Sequence, residues 1–280
     1  YVKSADKVFL TLANGTQNTL SGGDSFIAID ENNIDAAIFS KDDLTLNGSG
    51  SLAVHAAAGH GIVSKNDLAI TGGTYTITAA SHGLSGRDSI RIADGDFTIT
   101  AGKDGLHADN EEAEKGFLHI MGGRFLITAD GDGMDASASL TIAEFTIKAG
   151  ELSDIPSSND DTNVPPGFFG NKNKPETSST ENADTVSTKG IKANGTLNIA
   201  GGNFHIDSAD DALHSNADLL VSNGSFTLAT GDDGIHSDGA LTILNGNINI
   251  AGSCEGLEGK SVEISGGSIA IKSTDDGINA

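Results

Sequence analysis

Asp210-Asp211-Ala212-Leu213-His214, Asp232-Asp233-Gly234-Ile235-His236, Cys254-Glu255-Gly256-Leu257-Glu258 and Asp275-Asp276-Gly277-Ile278-Asn279 follow one another through the C-terminal part of the chain. Their second residues, Asp211, Asp233, Glu255 and Asp276, are 22, 22 and 21 positions apart. A fixed acid at a period near 22 marks one structural unit repeated in register, and the rest of the chain reads as further copies, a cap and insertions.

Working outward, the acid column continues through His60, His82, Asp104, Asp132 and Lys189. The column after it is glycine, with Ala212 the exception, and the next is aliphatic throughout: Ile62, Leu84, Leu106, Met134, Ile191, Leu213, Ile235, Leu257 and Ile278. An unbroken aliphatic column predicts an interior ladder. Between motifs each unit holds a short strand, a glycine turn and another strand, as in Leu68-Ala69-Ile70, Gly72-Gly73 and Tyr75-Thr76-Ile77. Period-two apolar positions with a positive-φ glycine at each corner predict three strands per unit. The expected fold is all-β, a right-handed parallel β-helix of about ten coils of ~22 residues each, its hand set by the chirality of parallel crossovers.

Residues 1–280 are read as a single β-helix domain with residues 1–35 as an N-terminal cap coil. Two spacings are longer than the rest. Asp104 to Asp132 is 28, with the excess in Asp109-Asn110-Glu111-Glu112-Ala113-Glu114-Lys115, and Asp132 to Lys189 is 57. Residues 150–188 hold all four prolines among Ser, Asn, Asp and Thr, and are expected to be one inserted loop and not missing coils. Phe168-Phe169, between glycines, form its candidate ligand-binding tip.

The net charge of -23 argues against nucleic acid as partner and favours a cation, or something reached through one. A lone cysteine, Cys254, excludes an internal disulfide framework and a Cys-based zinc site. No apolar run approaches the ~20 residues of a membrane span. The chain opens in a repeat-like strand and closes directly after a motif, so a removed secretion signal and a continuation beyond Ala280 are both expected, with an extracellular or cell-surface location. The chain is expected as a monomer or as part of a longer surface protein.

Equivalent side chains in successive coils lie ~4.8 Å apart, so stacked carboxylates repel unless something neutralises them. Ca²⁺, with oxygens at ~2.3–2.6 Å, can bridge two of them. The candidate metal ligands are Asp104, Asp132, Asp211, Asp233, Glu255 and Asp276 in the acid column, Asp135, His214, His236 and Glu258 three residues on, and Asp210, Asp232 and Asp275 just before it. The middle glycine is expected to leave room for an ion. His214 and His236 stack and, with Asp211 or Asp233, leave a zinc-like ion as the alternative. The cofactor expected is Ca²⁺, several ions per chain.

Several blocks, in order, resemble a family of secreted carbohydrate-binding β-helix proteins that bind cellulose and polygalacturonate. They are Tyr1-Val2-Lys3-Ser4-Ala5-Asp6-Lys7-Val8, Ser40-Lys41-Asp42-Asp43-Leu44-Thr45-Leu46-Asn47-Gly48-Ser49-Gly50, Lys103-Asp104-Gly105-Leu106, Ala113-Glu114-Lys115-Gly116, Lys189-Gly190-Ile191-Lys192 and Asp275-Asp276-Gly277-Ile278-Asn279-Ala280. The resemblance implies a right-handed parallel β-helix carrying several calcium ions, similar in metal geometry to family-nine pectate lyases. This chain departs from the pattern at His60 and His82, where the family favours Asp, which moves the expected metal to Asp104, Asp132 and the C-terminal coils.

Three functions follow as alternatives. Calcium-dependent binding of an extracellular, acidic, plant-cell-wall-type polysaccharide needs only the ions and a repetitive flank, with Lys189 and Lys192 as further ligand contacts. A calcium-dependent pectate lyase needs a base, for which Lys189 or Lys192 with a depressed pKa would serve, yet Arg87, Arg91 and Arg124 lie in other coils. A structural surface adhesin needs neither. With no Trp and 2 Tyr, cellulose affinity has less support than polygalacturonate.

Overall fold

A computed structural model describes residues 1–26, 34–143, 146–149 and 187–280, with the backbone alone described at 146–149. Phe168 and Phe169, and nearly all of the 150–188 insertion, lie outside the described residues. The chain is a right-handed parallel β-helix with no helix among the described residues.

Each coil contributes one strand to each of three parallel sheets. Sheet one carries the motif strands, among them His60–Ser64, Leu106–Ala108, Met134–Ala136, Ile191–Ala193 and Leu213–Ser215. Sheet two carries Leu44–Gly48, Asp67–Ile70, Ser89–Ile92 and their successors, and sheet three is a ten-stranded stack running from Gln17–Ser21 to Ser268–Ser273. The strands Ile235–Ile243 and Leu257–Ile264 run round the corner between sheets one and two and join them. The first strands, Val8–Leu12 and Gln17–Ser21, already pair in register with Leu44–Gly48 and Ser51–Ala56.

The aliphatic column is one continuous ladder: Ile62 pairs with Leu84, Leu84 with Leu106, and so on through Met134, Ile191, Leu213, Ile235 and Leu257 to Ile278. From Ile62 to Leu257 its members are at most 1% exposed, and each contributes roughly 1.5–3 kcal/mol of burial. On sheet three, Tyr75, Phe97 and Phe125 stack with centroids 5.1 and 4.7 Å apart, and Phe204 stacks on Phe226 at 4.5 Å. Met134 pairs with Ile191 across the long spacing, so those coils are adjacent and none is missing. The shorter excess falls between Leu106–Ala108 and Phe117–Ile120, on the charged segment.

Glycine has two separate jobs. At the corner leading into sheet three it supplies positive φ, +105° at Gly73 and +144° at Gly95, where other residues are strained. The motif glycines have no such φ, which corrects the expectation of a positive-φ glycine at every corner. They also face inward, which corrects the expectation that they leave room for an ion. A Cβ on Gly61, Gly83, Gly105, Gly190 or Gly256 would lie 2.4–2.6 Å from the Cγ2 of an isoleucine on sheet three.

Ala212 supports this account. Leu228 stands in the sheet-three column between Ile206 and Ile250, and leucine lacks the Cγ2 branch that crowds the other glycines. Room for the alanine methyl is also made along the axis: Leu213 N–H donates to Gly234 O at 3.3 Å, against 3.0 Å for Ile191 to Ala212 O and for Ile235 to Gly256 O. A Cβ on Gly234 would meet Ile250 Cδ1 at 2.5 Å and Gly256 O at 2.6 Å. Gly234→Ala is therefore expected to destabilise the protein by about 1–3 kcal/mol, and adding Ile250→Leu to recover part of the loss. Guanidinium midpoints of the single and double variants check this; an unchanged midpoint for Gly234→Ala refutes the packing account.

Candidate functional site

The acid column and the positions three residues later form two parallel rows along one outer edge of sheet one. Coil by coil they read Asp104 with His107, Asp132 with Asp135, Lys189 with Lys192, Asp211 with His214, Asp233 with His236, Glu255 with Glu258, and Asp276 with Asn279. Asp104, Asp132, Asp135, Asp211, His214, Asp233, His236, Glu255, Glu258 and Asp276 thus stand in the two rows, Asp210, Asp232 and Asp275 immediately precede the acid row, and both lysines stand inside the rows.

Asp104, Asp132 and Asp211 of the acid row each divide their two oxygens. Oδ1 caps the next coil: Asp104 accepts from Asp132 N–H at 2.8 Å, Asp132 from Lys189 N–H at 2.7 Å and Asp211 from Asp233 N–H at 3.0 Å. Oδ2 faces the second row: that of Asp104 is 2.9 Å from His107 Nδ1, that of Asp132 3.5 Å from Lys192 Nζ, that of Asp211 2.7 Å from His214 Nδ1, and that of Asp233 3.0 Å from His236 Nδ1. Where Lys189 stands in the column it cannot cap, and Asp210 Oδ1 accepts from Asp211 N–H instead at 3.1 Å. The acid row is therefore part of the scaffold before it is a site, since these caps satisfy backbone donors at a buried corner; Asp132, Asp211 and Asp233 are 2, 3 and 5% exposed.

The chain supplies many of its own counter-charges. Lys189 Nζ pairs with Asp210 and lies 3.5 Å from Asp211 Oδ2, while Lys192 Nζ lies 3.5 Å from Asp132 Oδ2 and 3.3 Å from Asp135 Oδ1. Burial opposes the charge on both, but their carboxylate partners outweigh it and raise both pKa values. A base needs the opposite shift; in this structure both lysines serve as counter-ions to the acids beside them.

The balance fails toward the C-terminus. Among the described residues no lysine or arginine pairs with Asp233, Glu255, Glu258 or Asp276, and His236 Nδ1 lies 3.0 Å from both Asp233 Oδ2 and Glu258 Oε2. Contact with Asp233, then burial, pushes the Glu258 pKa up; burial and then the neighbouring Glu258 and Asp276 do so for Glu255, against a hydrogen bond from Asn279. Burial and the charges of Asp211 and Asp210 raise Asp232. One ligand atom from each of Asp233, His236 and Glu258 lies within 4.8 Å of the others, and the same holds for Asp210, Asp211 and Asp232. Lys189 already occupies the second group. The first, rich in oxygen and short of cations, fits a hard divalent ion.

The family model for carbohydrate-binding domain-containing proteins matches residues 1–234. The chain belongs to this family. A carbohydrate-binding domain-containing protein of Acetivibrio thermocellus is 43% identical over 79 residues, which are 28% of this chain and 28% of the relative. A polysaccharide lyase-like protein from C. thermocellum, solved as a gadolinium derivative, is similar with a TM-score of 0.52 and 32% identity over 69% of this chain and 65% of that one. The chain thus spans less than two thirds of either relative.

Sequence reasoning placed His60 and His82 in the acid column but missed two features of the family member's site. Lys192 belongs to the second row, a placement signalled by its three-residue offset from Lys189, the offset that separates His214 from Asp211. The other is that His82 meets Asp104 and His107, taken up below.

The histidines also set a pH dependence. Burial opposes protonation of His107, but hydrogen bonds to Asp104 and Asp135 raise it from 6.5 to about 9. The hydrogen bond to Asp233 likewise raises His236 to about 9, against burial. Stabilisation from both is complete below pH 6.5 and lost as pH rises through about 9. His82 behaves oppositely: burial and the charge of His107 depress it to about 3, so stability falls as pH drops below 6.5. Chelated protein should therefore melt highest near pH 6.5, and the His107→Gln/His236→Gln variant should show a flatter alkaline limb. Thermal midpoints across about pH 5 to 10 in chelator check both statements.

Proposed function

We propose that this protein binds an acidic, polyuronate-type polysaccharide through Ca²⁺ held by the C-terminal coils, with Asp232, Asp233, Glu255, Glu258, Asp275 and Asp276 as the oxygen donors. The observation that carries this reading is the carboxylate crowding of Asp233, Glu255, Glu258 and Asp276, none of which pairs with a lysine or arginine among the described residues, beside coils where two lysines pair with the same rows. Family membership supports a carbohydrate ligand. The similarity to a polysaccharide lyase-like structure likewise supports a polysaccharide ligand.

Bound there, Ca²⁺ would neutralise the carboxylates and present coordination positions to a uronate. Asp233 keeps one oxygen toward His236, and Asn279 Nδ2, 3.4 Å from Glu255 Oε2 and 3.3 Å from Glu258 Oε1, orients the two glutamates. A neutral-sugar platform has little support: there is no Trp, Tyr75 is 0% exposed in the core, and only Tyr1 is exposed. The same reading places the protein outside the cell, where calcium and polyuronates meet.

Calorimetry on chelator-stripped protein is expected to show Ca²⁺ binding, weakened by roughly 10-fold or more in Glu255→Gln/Glu258→Gln, on the scale of losses at metal sites. Polygalacturonate pull-down should be abolished by chelator, and no absorbance from unsaturated uronate should develop. Retention of the polymer with chelator present refutes the calcium bridge, and release of unsaturated product refutes the assignment of both lysines as counter-ions only.

A further inference from the structure

We propose a second metal site, for a borderline transition ion of the Zn²⁺ or Co²⁺ class, at the opposite end of the rows, formed by His82, His107 and Asp104. One ligand atom from each of these three lies within 4.8 Å of the other two. They come from adjacent coils: Leu84 and Leu106 pair in register, which stacks the strand after His82 on that after Asp104 and carries His107 beside them. The rings of His82 and His107 meet edge to face at 4.0 Å, and His60 lies edge to face with His82 at 4.9 Å.

The state of His82 points to a ligand. The residue is 8% exposed, its buried Nδ1 has no hydrogen-bond partner among the described residues, and its Nε2 is 3.7 Å from Asp104 Oδ2, beyond hydrogen-bond reach. Buried imidazoles are normally satisfied, and a ring left this way beside a second imidazole and a carboxylate is a donor set awaiting an acceptor. His60 Nδ1 is also buried without a partner.

The chemistry of the donors separates this group from the C-terminal one. Two imidazoles and one carboxylate are a set suited to Zn²⁺ with a fourth position left open, at nitrogen distances of ~2.0–2.1 Å, whereas Ca²⁺ seeks six or more oxygens. The open position has somewhere to face, because a cleft of about 350 Å³ is lined by His60, His82 and His107 together with Lys65 and Arg87. Asp135 completes the surroundings: its Oδ2 is 3.2 Å from His107 Nδ1, and Asp104 Oδ1 remains bound to Asp132 N–H. Asp135 thus orients a metal-ligating histidine, as carboxylates commonly do.

Titration of the metal-stripped full chain with Co²⁺, followed by its visible ligand-field bands and by calorimetry, tests the site. One tight Co²⁺ equivalent is expected, displaced by Zn²⁺ and not by excess Ca²⁺. Loss of either histidine ligand, in His82→Ala or His107→Gln, should weaken it by about 100-fold or more, while Glu255→Gln/Glu258→Gln and His214→Ala/His236→Ala should leave it intact. Far-UV dichroism confirms that each variant is folded; should His82→Ala not fold, His107→Gln decides. Absence of a Co²⁺ spectrum in the parent, or a spectrum that disappears only with His214 and His236, overturns the proposal. Calcium binding at the C-terminal coils is read separately, so either proposal can fail alone.

Discussion

Parallel coiling with exact register puts like over like. Every column of the repeat must stack on itself at the inter-strand spacing, and whether that helps or harms depends on the residue. For Ile62 through Leu257, and for the Tyr75–Phe97–Phe125 stack, repetition is cohesive: each side chain meets a neighbour of matching shape, and the Tyr75 hydroxyl is satisfied by donating to Gly72 O. For a carboxylate column the same geometry is repulsive. The edge of sheet one is organised by how that repulsion is relieved.

Relief comes at three levels. Asp104, Asp132 and Asp211 first turn one oxygen to the backbone N–H of the next coil, converting part of the charge into a cap. The second oxygen of Asp104 and of Asp211, and one oxygen of Asp233, then meets a histidine of the same coil, His107, His214 and His236 in turn. Finally a whole coil is recast: Lys189 and Lys192 place two ammonium groups between the Asp132/Asp135 and Asp210/Asp211 pairs. Stacked acids are therefore not by themselves a demand for metal. What distinguishes the last coils is that glutamate replaces aspartate at Glu255, and among the described residues no lysine pairs with the acids of these rows.

Much of this was legible in the sequence because the fold preserves column membership. The aliphatic column and both acid rows could be written down before any coordinates, and every aliphatic pairing falls where the period put it. The direction in which a column faces was less legible. The motif glycines looked like space left for an ion, but they are excluded from bearing a Cβ by isoleucines some 16 residues further along, as Gly234 is by Ile250. That contact joins two sheets and has no local signature. Its one trace is the paired exception of Ala212 and Leu228, which reads as noise until the sheets are folded together. The capping role of the aspartates was hidden for the same reason, since a donor in the next coil is adjacent only in space.

The rows also show how one repeat can host different cation chemistries without changing its backbone. At the N-terminal end the stacked positions are His60 and His82 beside His107, nitrogen-rich, with His82 buried; in the middle they are neutralised by the chain's own lysines; at the C-terminal end the carboxylates have His236 and Asn279 as their nitrogen neighbours. Affinity for an ion depends on donor type and on whether a side-chain cation already occupies the place, and both change here by single substitutions within fixed columns. A Lys at position 189 costs the column one cap, which Asp210 restores from the preceding position, so the scaffold tolerates the exchange. The scaffold's hydrogen bonds and the choice of cation are thus separable, because the oxygen that holds the coils together is not the one that faces the edge.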